Sequence, residues 1–203
     1  MISRKKTLIA LALAATLNSG QADAQEPMCQ GAELTKASAA LATSKTILDK
    51  AISVIDEPTD RGIAELKTWF GIDLLSTDLS NATAALKIKD TLTKARAFGG
   101  GVTFFCSVRT DALLGDYYAY VLPDKSFAIV LGAFFWSAPD AGYSSKPGVI
   151  VHEMSHFYLV GATQDPKIYG TAEARALAIS NSGEARRNAE NFEYFVEAIA
   201  AAP

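Results

Sequence analysis

Two histidines are all the chain contains, and they fall four residues apart as His152-Glu153-Met154-Ser155-His156. On a helix of 3.6 residues per turn, positions i and i+4 project from one face, so both imidazoles can reach one metal ion. Glu153 follows the first histidine and does not share that task. It can hold and deprotonate a water beside the metal, the division of labour in HExxH metal-assisted hydrolysis. A hydrolytic zinc takes three protein ligands, and with both histidines used the third must be a carboxylate or, less readily, Cys or Tyr. Asp165, just behind the helix, and Glu190, on a later helix, are the candidates; Glu173 is a weaker third.

Other chemistries find little support. No GxSxG is present, and both histidines are committed to the metal motif, which leaves no base for a serine or cysteine nucleophile. Gly99-Gly100-Gly101 is followed by no Lys-Ser/Thr pair and reads as a flexible joint, not a phosphate loop. The formal net charge is -3, and no basic cluster is interleaved with aromatics, which argues against nucleic acid as a partner.

The motif needs a scaffold, and the chain supplies it in two textures. Residues 32–97 are rich in Ala, Leu, Lys and Asp. Leu41, Ile47, Leu48, Ile52 and Ile55 predict one apolar helix face, and Leu79, Ala82, Leu86 and Leu92 another. Pro58 and Gly62 break the first helix from the next segment. Strand-like runs come next at Val102–Cys106, Tyr117–Leu122 and Phe127–Phe135, with Asp124-Lys125 as a hairpin turn. Pro147 suits a first helical turn, and Gly161 ends the helix that carries the motif. Helices are expected again over about Thr171–Ile179 and Glu184–Ala200.

The first 24 residues predict a secretory signal peptide. Arg4, Lys5 and Lys6 precede the apolar run Leu8–Leu17, and Ala22-Asp23-Ala24 offers a small-residue cleavage site. No later run is long and apolar enough to cross a membrane. The expectation is export, to the periplasm or the medium, of one domain over residues 25–203, helical to about 98 and catalytic from about 99. In an oxidising compartment Cys29 and Cys106 read first as one disulfide.

The stretch His152 to His156 followed by Phe157-Tyr158-Leu159-Val160-Gly161-Ala162-Thr163-Gln164-Asp165 resembles the aspzincins, the deuterolysin and peptidyl-Lys metalloendopeptidase group. That family follows HExxH with a GTxDxxYG segment whose Asp completes the zinc site. Ala162 stands where the family's first Gly would be, and Tyr169-Gly170 arrives one residue late. Asn188-Ala189-Glu190-Asn191-Phe192-Glu193-Tyr194-Phe195 is similar to the family's NADxYEYF-like segment, with Glu190 in place of Asp. Tyr118-Ala119-Tyr120-Val121 and Ala133-Phe134-Phe135 are fainter echoes.

The resemblance implies an α+β fold: a mainly helical, zincin-like metalloprotease domain with a small antiparallel sheet and an HExxH active-site helix. It implies one Zn2+ on His152, His156 and Asp165, with Glu153 as catalytic base and Tyr169 as donor to the oxyanion. It also implies protein or peptide substrates, and Lys in the residue just after the scissile bond through Glu190 and Glu193. A solvated acidic stripe, continued by Glu197, is the plainer reading of those glutamates. No membrane partner is expected once the leader is removed, and the chain is expected to be a monomer. The alternatives are a gluzincin-type protease with Glu190 as third ligand, and a secreted zinc-binding module without turnover.

Overall fold

The computed structural model describes residues 26–107, 117–121, 127–166 and 168–201. The leader and the turn at Asp124-Lys125 lie outside these residues. Three helices come first: α1 (Gly31–Asp56), α2 (Asp60–Phe70) and α3 (Leu79–Phe98). In α1 the buried positions Ala37, Ala40, Ser44, Ile47, Leu48, Ala51 and Ile55 recur at helical spacing, and this face meets the rest of the molecule. Pro58 does interrupt the chain, but Gly62 does not. It lies in the first turn of α2, where its amide is accepted by the Thr59 side chain, and the helix ends at Gly71 in the left-handed conformation.

The buried face of α3 is Ala84, Ala85, Ile88, Leu92 and Ala95, rotated from the one expected, while Leu79 and Leu86 are exposed. Small residues let α3 lie close to α1, and only Leu92 belongs to both faces. The triple glycine is a single 3-10 turn that closes α3 and tucks Gly99 against Leu41, Lys45 and Met154.

Strands β1 (Thr103–Cys106), β2 (Ala119–Val121) and β3 (Ala128–Leu131) form a small sheet in the order β1-β3-β2. It is mixed, not antiparallel throughout. β2 pairs antiparallel with β3, with Tyr120 opposite Val130, while β1 runs parallel to β3, with Phe104 opposite Ile129. β3, the last of the three in the chain, thus lies between β1 and β2. The expected run to Phe135 stops at Leu131, and Ala133–Ser137 turn into the short helix α4.

The expected disulfide is present. Cys29 and Cys106 are bonded across a pair of backbone hydrogen bonds that lay residues 27–29 against β1. Helix α5 (Lys146–His156) starts on Ser145, whose side chain accepts from Gly148 N, with Pro147 in the first turn. It ends at His156, earlier than Gly161, because Phe157 leaves the helical conformation and the chain winds back through residues 157–163.

Helices α6 (Thr171–Ser180), α7 (Ser182–Ala185) and α8 (Ala189–Ala200) complete the order. The helix expected from Glu184 onward is therefore broken at residues 186–188, where Asn188 forms a bridge with Gln164. One apolar core, with Trp69, Phe70, Leu48, Ile129, Ile150, Phe192 and Phe195 inside it, joins the early helices to the sheet, α5 and α8. No described helix is long and apolar enough to cross a membrane.

Candidate metal centre and substrate cleft

Helix α5 presents His152 and His156 side by side, their ring centroids 5.0 Å apart. Asp165 is delivered to them by the turn after α5 and then fastened. Gln164 N donates to Arg187 O, and Ala189 N donates to Gln164 O. The residue next to Asp165 is thereby stitched to the break before α8. The result is that His152 Nε2 lies 3.2 Å from Asp165 Oδ1, and His156 Nε2 lies 3.2 Å from Asp165 Oδ2.

The other ring nitrogens are engaged. His156 Nδ1 is 3.0 Å from the Thr163 carbonyl oxygen, which can only accept, so Nδ1 carries the proton. His152 Nδ1 is 3.1 Å from Glu193 Oε2, the carboxylate–histidine pairing that orients metal ligands. With both Nδ1 positions donating, each Nε2 is the ring atom turned toward the Asp165 carboxylate. Three groups that converge in this way call for positive charge, protons in the metal-free protein or a metal ion in their place, and two imidazoles with one carboxylate suit zinc. All three ligand atoms lie within 4.8 Å of one another.

The protein's own electrostatics agree. Burial pulls the His152 pKa down, but Asp165 and Glu193 outweigh it and leave it well above the ordinary value. His156 follows the same pattern, with Asp165 overcoming burial. Asp165 itself, which burial would raise, is held below its usual range by the two imidazoles. The site stores negative charge around two histidines, a place that gains from a positive ion.

Glu153 is buried, and burial raises its carboxyl pKa against the lowering pull of the histidines. It stands at the centre of a cleft, because Ala119, Glu153 and Asp165 line two adjoining cavities. One, of about 470 Å³, also takes in His152, Tyr169, Glu190, Glu193 and Tyr194. The other, of about 370 Å³, continues past His156, Thr163 and Gln164 along β2. Tyr169 is on the rim of the first, with its side chain largely exposed. A larger depression of about 780 Å³ lies between α3 and α7, lined by Lys87, Arg186 and Arg187, and contains none of these groups.

Glu190, Glu193 and Glu197 do form a stripe on α8, but it is buried rather than solvated. Glu193 is occupied by His152. Glu190 is 8% exposed, and its Oε2 has no hydrogen-bond partner among the described residues. Burial and the neighbouring Glu193 charge push its pKa up to about 7. Glu190 groups with His152 and Glu193, and no such grouping joins it to His156. Glu173 sits in the first turn of α6 and belongs to neither group.

Three contributors are not evident from the motif pattern: Thr163, which orients His156; Ser155, whose hydroxyl is 2.6 Å from Thr163 Oγ1; and Glu197, buried against the start of α5. A signal for Glu197 was present. Its neighbours Phe192, Phe195, Val196 and Ile199 make α8 apolar almost all round, and a helix of that kind is buried with its acids.

The helical fold, the small sheet and the His-His-Asp donor set define a metallopeptidase of the zincin kind. Residues 57–197 match the family described as lysine-specific metallo-endopeptidase, and the chain belongs to this aspzincin family. It is 34% identical to an extracellular protease of Aeromonas hydrophila over 171 residues, 83% of this chain and 45% of that protein. The chain thus spans less than half the length of that relative. A peptidyl-Lys metalloendopeptidase of Pleurotus ostreatus is 33% identical over 172 residues, covering 83% of this chain and 94% of its own. The solved zinc peptidase from Grifola frondosa superposes with a TM-score of 0.73 at 28% identity, over 85% of this chain and 99% of that one.

Proposed function

We propose that the protein is an exported, zinc-dependent endopeptidase that cuts proteins on the amino side of lysine. The observation that carries the reading is the convergence of His152 Nε2, His156 Nε2 and the Asp165 carboxylate on one point beside Glu153. A single Zn2+ held by these three residues would supply Lewis acidity for the scissile carbonyl and the attacking water.

The chain's own groups would do the rest. Glu153, with its carboxyl pKa raised by burial, takes the proton of the attacking water and returns it to the leaving amine. Tyr169, on the rim of the same cavity, donates its hydroxyl to the carbonyl oxygen as charge develops there. Glu193 keeps the His152 ring in the tautomer that leaves Nε2 available.

Specificity is supported by Glu190. A buried carboxylate oxygen without a partner among the described residues, in a cavity that also contains His152 and Glu153, lacks what a lysine ammonium would supply. A cation in the residue just after the scissile bond would satisfy it. Arg fits less well, because its guanidinium is broad and planar. The relatives named peptidyl-Lys metalloendopeptidase point the same way. The relative named extracellular protease supports export. Removal of residues 1–24 as a leader and action of residues 25–203 as one monomeric domain are part of the same proposal.

The test is metal analysis of purified protein, together with casein cleavage and its suppression by a chelator. New N-termini mapped in a digested mixture of denatured proteins should be enriched in Lys. Zinc-loaded protein that leaves casein intact would end the peptidase reading, and termini without Lys enrichment would end the specificity reading alone.

A further inference from the structure

Helix α8 grips α5 at two points one helical turn apart. Glu193 holds His152 at one of them. Glu197, one turn further on, takes hold of the other end. Ser144 N donates to its Oε2 at 3.1 Å, while Ser145 N and Ser145 Oγ donate to its Oε1 at 2.8 and 2.7 Å. Ser145 is also the residue that starts α5, its Oγ accepting from Gly148 N. One carboxylate is therefore bonded to the residue that caps the helix of the metal motif.

Two further features show that the chain is shaped around this contact. Ser144 adopts a left-handed backbone, with φ of 54°, a conformation that a serine holds only when its surroundings impose it. That turn aims two successive amides at the same carboxylate. Gly148, in the first turn of α5, leaves the space the carboxylate fills. A Cβ there would lie 1.9 Å from Glu197 Oε1. Glu197 is 3% exposed and stands outside the metal donor set and outside the cavity that contains His152. It lines neither cavity of the cleft, yet burying a carboxylate demands compensation.

We infer that Glu197 is a positioning residue for the peptidase reaction, which clamps the first turn of α5 and so fixes the placement of His152, Glu153 and His156. A helix is stiff along its axis, so a shift at Ser145 is carried to the motif. Small misplacements of reacting groups slow a reaction with little effect on binding. The inference rests on the proposed peptidase activity, and its test includes readouts that do not.

Glu197→Leu removes the acceptor while roughly keeping the volume. Per metal-loaded, folded molecule, kcat should fall roughly ten- to a hundredfold, with KM within about threefold and zinc still at one per chain. Hydrogen exchange should quicken at residues 145–149. Glu197→Gln keeps an oxygen facing Ser145 and should retain kcat within a few-fold of the parent.

Gly148→Ala attacks the same contact from the other helix and should reproduce the loss of kcat. Combined with Glu197→Ala, which makes room for the methyl, its effect should be clearly less than additive. If Glu197→Leu does not fold, Glu197→Gln and the Gly148 cycle still decide. Unchanged kcat with only a lower Tm, a Gln variant as impaired as Leu, or additive effects would each overturn the clamp. Should the parent protein be inactive with zinc bound, the peptidase reading fails on its own. The exchange data then judge the clamp separately, with unchanged protection at residues 145–149 counting against it.

Discussion

Glu193 Oε2 lies 3.1 Å from His152 Nδ1, the glutamate buried and the histidine half-buried between α8 and α5. The pair ties the acidic helix to the metal motif and gives Glu193 a role beyond the proposed specificity pocket. Its loss should therefore act on metal as well as on substrate. Glu193→Gln can still accept from Nδ1, but without charge, and zinc affinity should fall roughly ten- to a hundredfold. Competition with a chromogenic chelator measures it. Unaltered affinity would leave Glu193 a substrate residue only.

Glu153→Gln should leave zinc bound and abolish most turnover, a loss on the order of a hundredfold or more in kcat, because it removes the base and no ligand. Metal content and single-turnover rates on a quenched peptide with Lys after the scissile bond check both halves. Substantial residual turnover would mean that another group takes the proton.

Asp165→Ala should lose zinc and activity together, since it removes the one group that both Nε2 atoms face. Glu190→Ala should keep the metal and lose the preference for Lys. The opposite pattern of metal content would favour the gluzincin-type arrangement.

These roles were only partly readable because the information for them lies at different ranges along the chain. His152, Glu153 and His156 are fixed by local spacing on one helix, so residue types and a period of 3.6 suffice. Asp165 depends on a turn whose course is set by contacts distant in sequence, notably the Gln164–Asn188 bridge, and the sequence could offer it only beside Glu190. The same bridge splits the last helix, which propensity alone would have run on through residues 186–188. The parallel pairing of β1 with β3 was hidden for the same reason, because strand runs carry no record of which edge they join. The glutamates of α8 were placed on one face correctly, but that face is turned inward by the aromatic bulk around it.

The Cys29–Cys106 bond closes a long loop, with a sequence separation of 77, and pins residues 27–29 to β1. Replacing both cysteines with Ser should destabilise the protein by about 2–4 kcal/mol, through the freedom returned to the unfolded chain. Denaturant melts of the two forms measure this. Neither cysteine lines the cleft or joins the metal donor group, so kcat of the folded variant should be close to that of the parent.

Stability of the metal-free form should fall as pH rises, and the added stability that zinc brings should grow over the same range. In the protein without metal, burial first, then the charge of Glu193, raises Glu190 from 4.5 to about 7 and Glu197 to about 8. Burial likewise raises Glu153. His152 and His156 are raised above 6.5 because Asp165, with Glu193 at His152, outweighs burial. Each of these groups binds more protons folded than unfolded in that window. Their contribution is complete below the unfolded pKa values and is lost as pH climbs through the folded ones. Asp165 has the opposite shift, but its window lies below 3.8 and does not interfere. The Tm of chelator-treated protein should therefore decline as pH rises from about 4.5 to about 8. Zinc inverts the histidine part, because the metal requires neutral imidazoles and binds more tightly as protons leave. The increase in Tm on adding zinc should accordingly grow across the same range. Parallel melts with and without zinc check both statements. A zinc-free Tm that climbs with pH would show that these buried carboxyls are not protonated in the folded state.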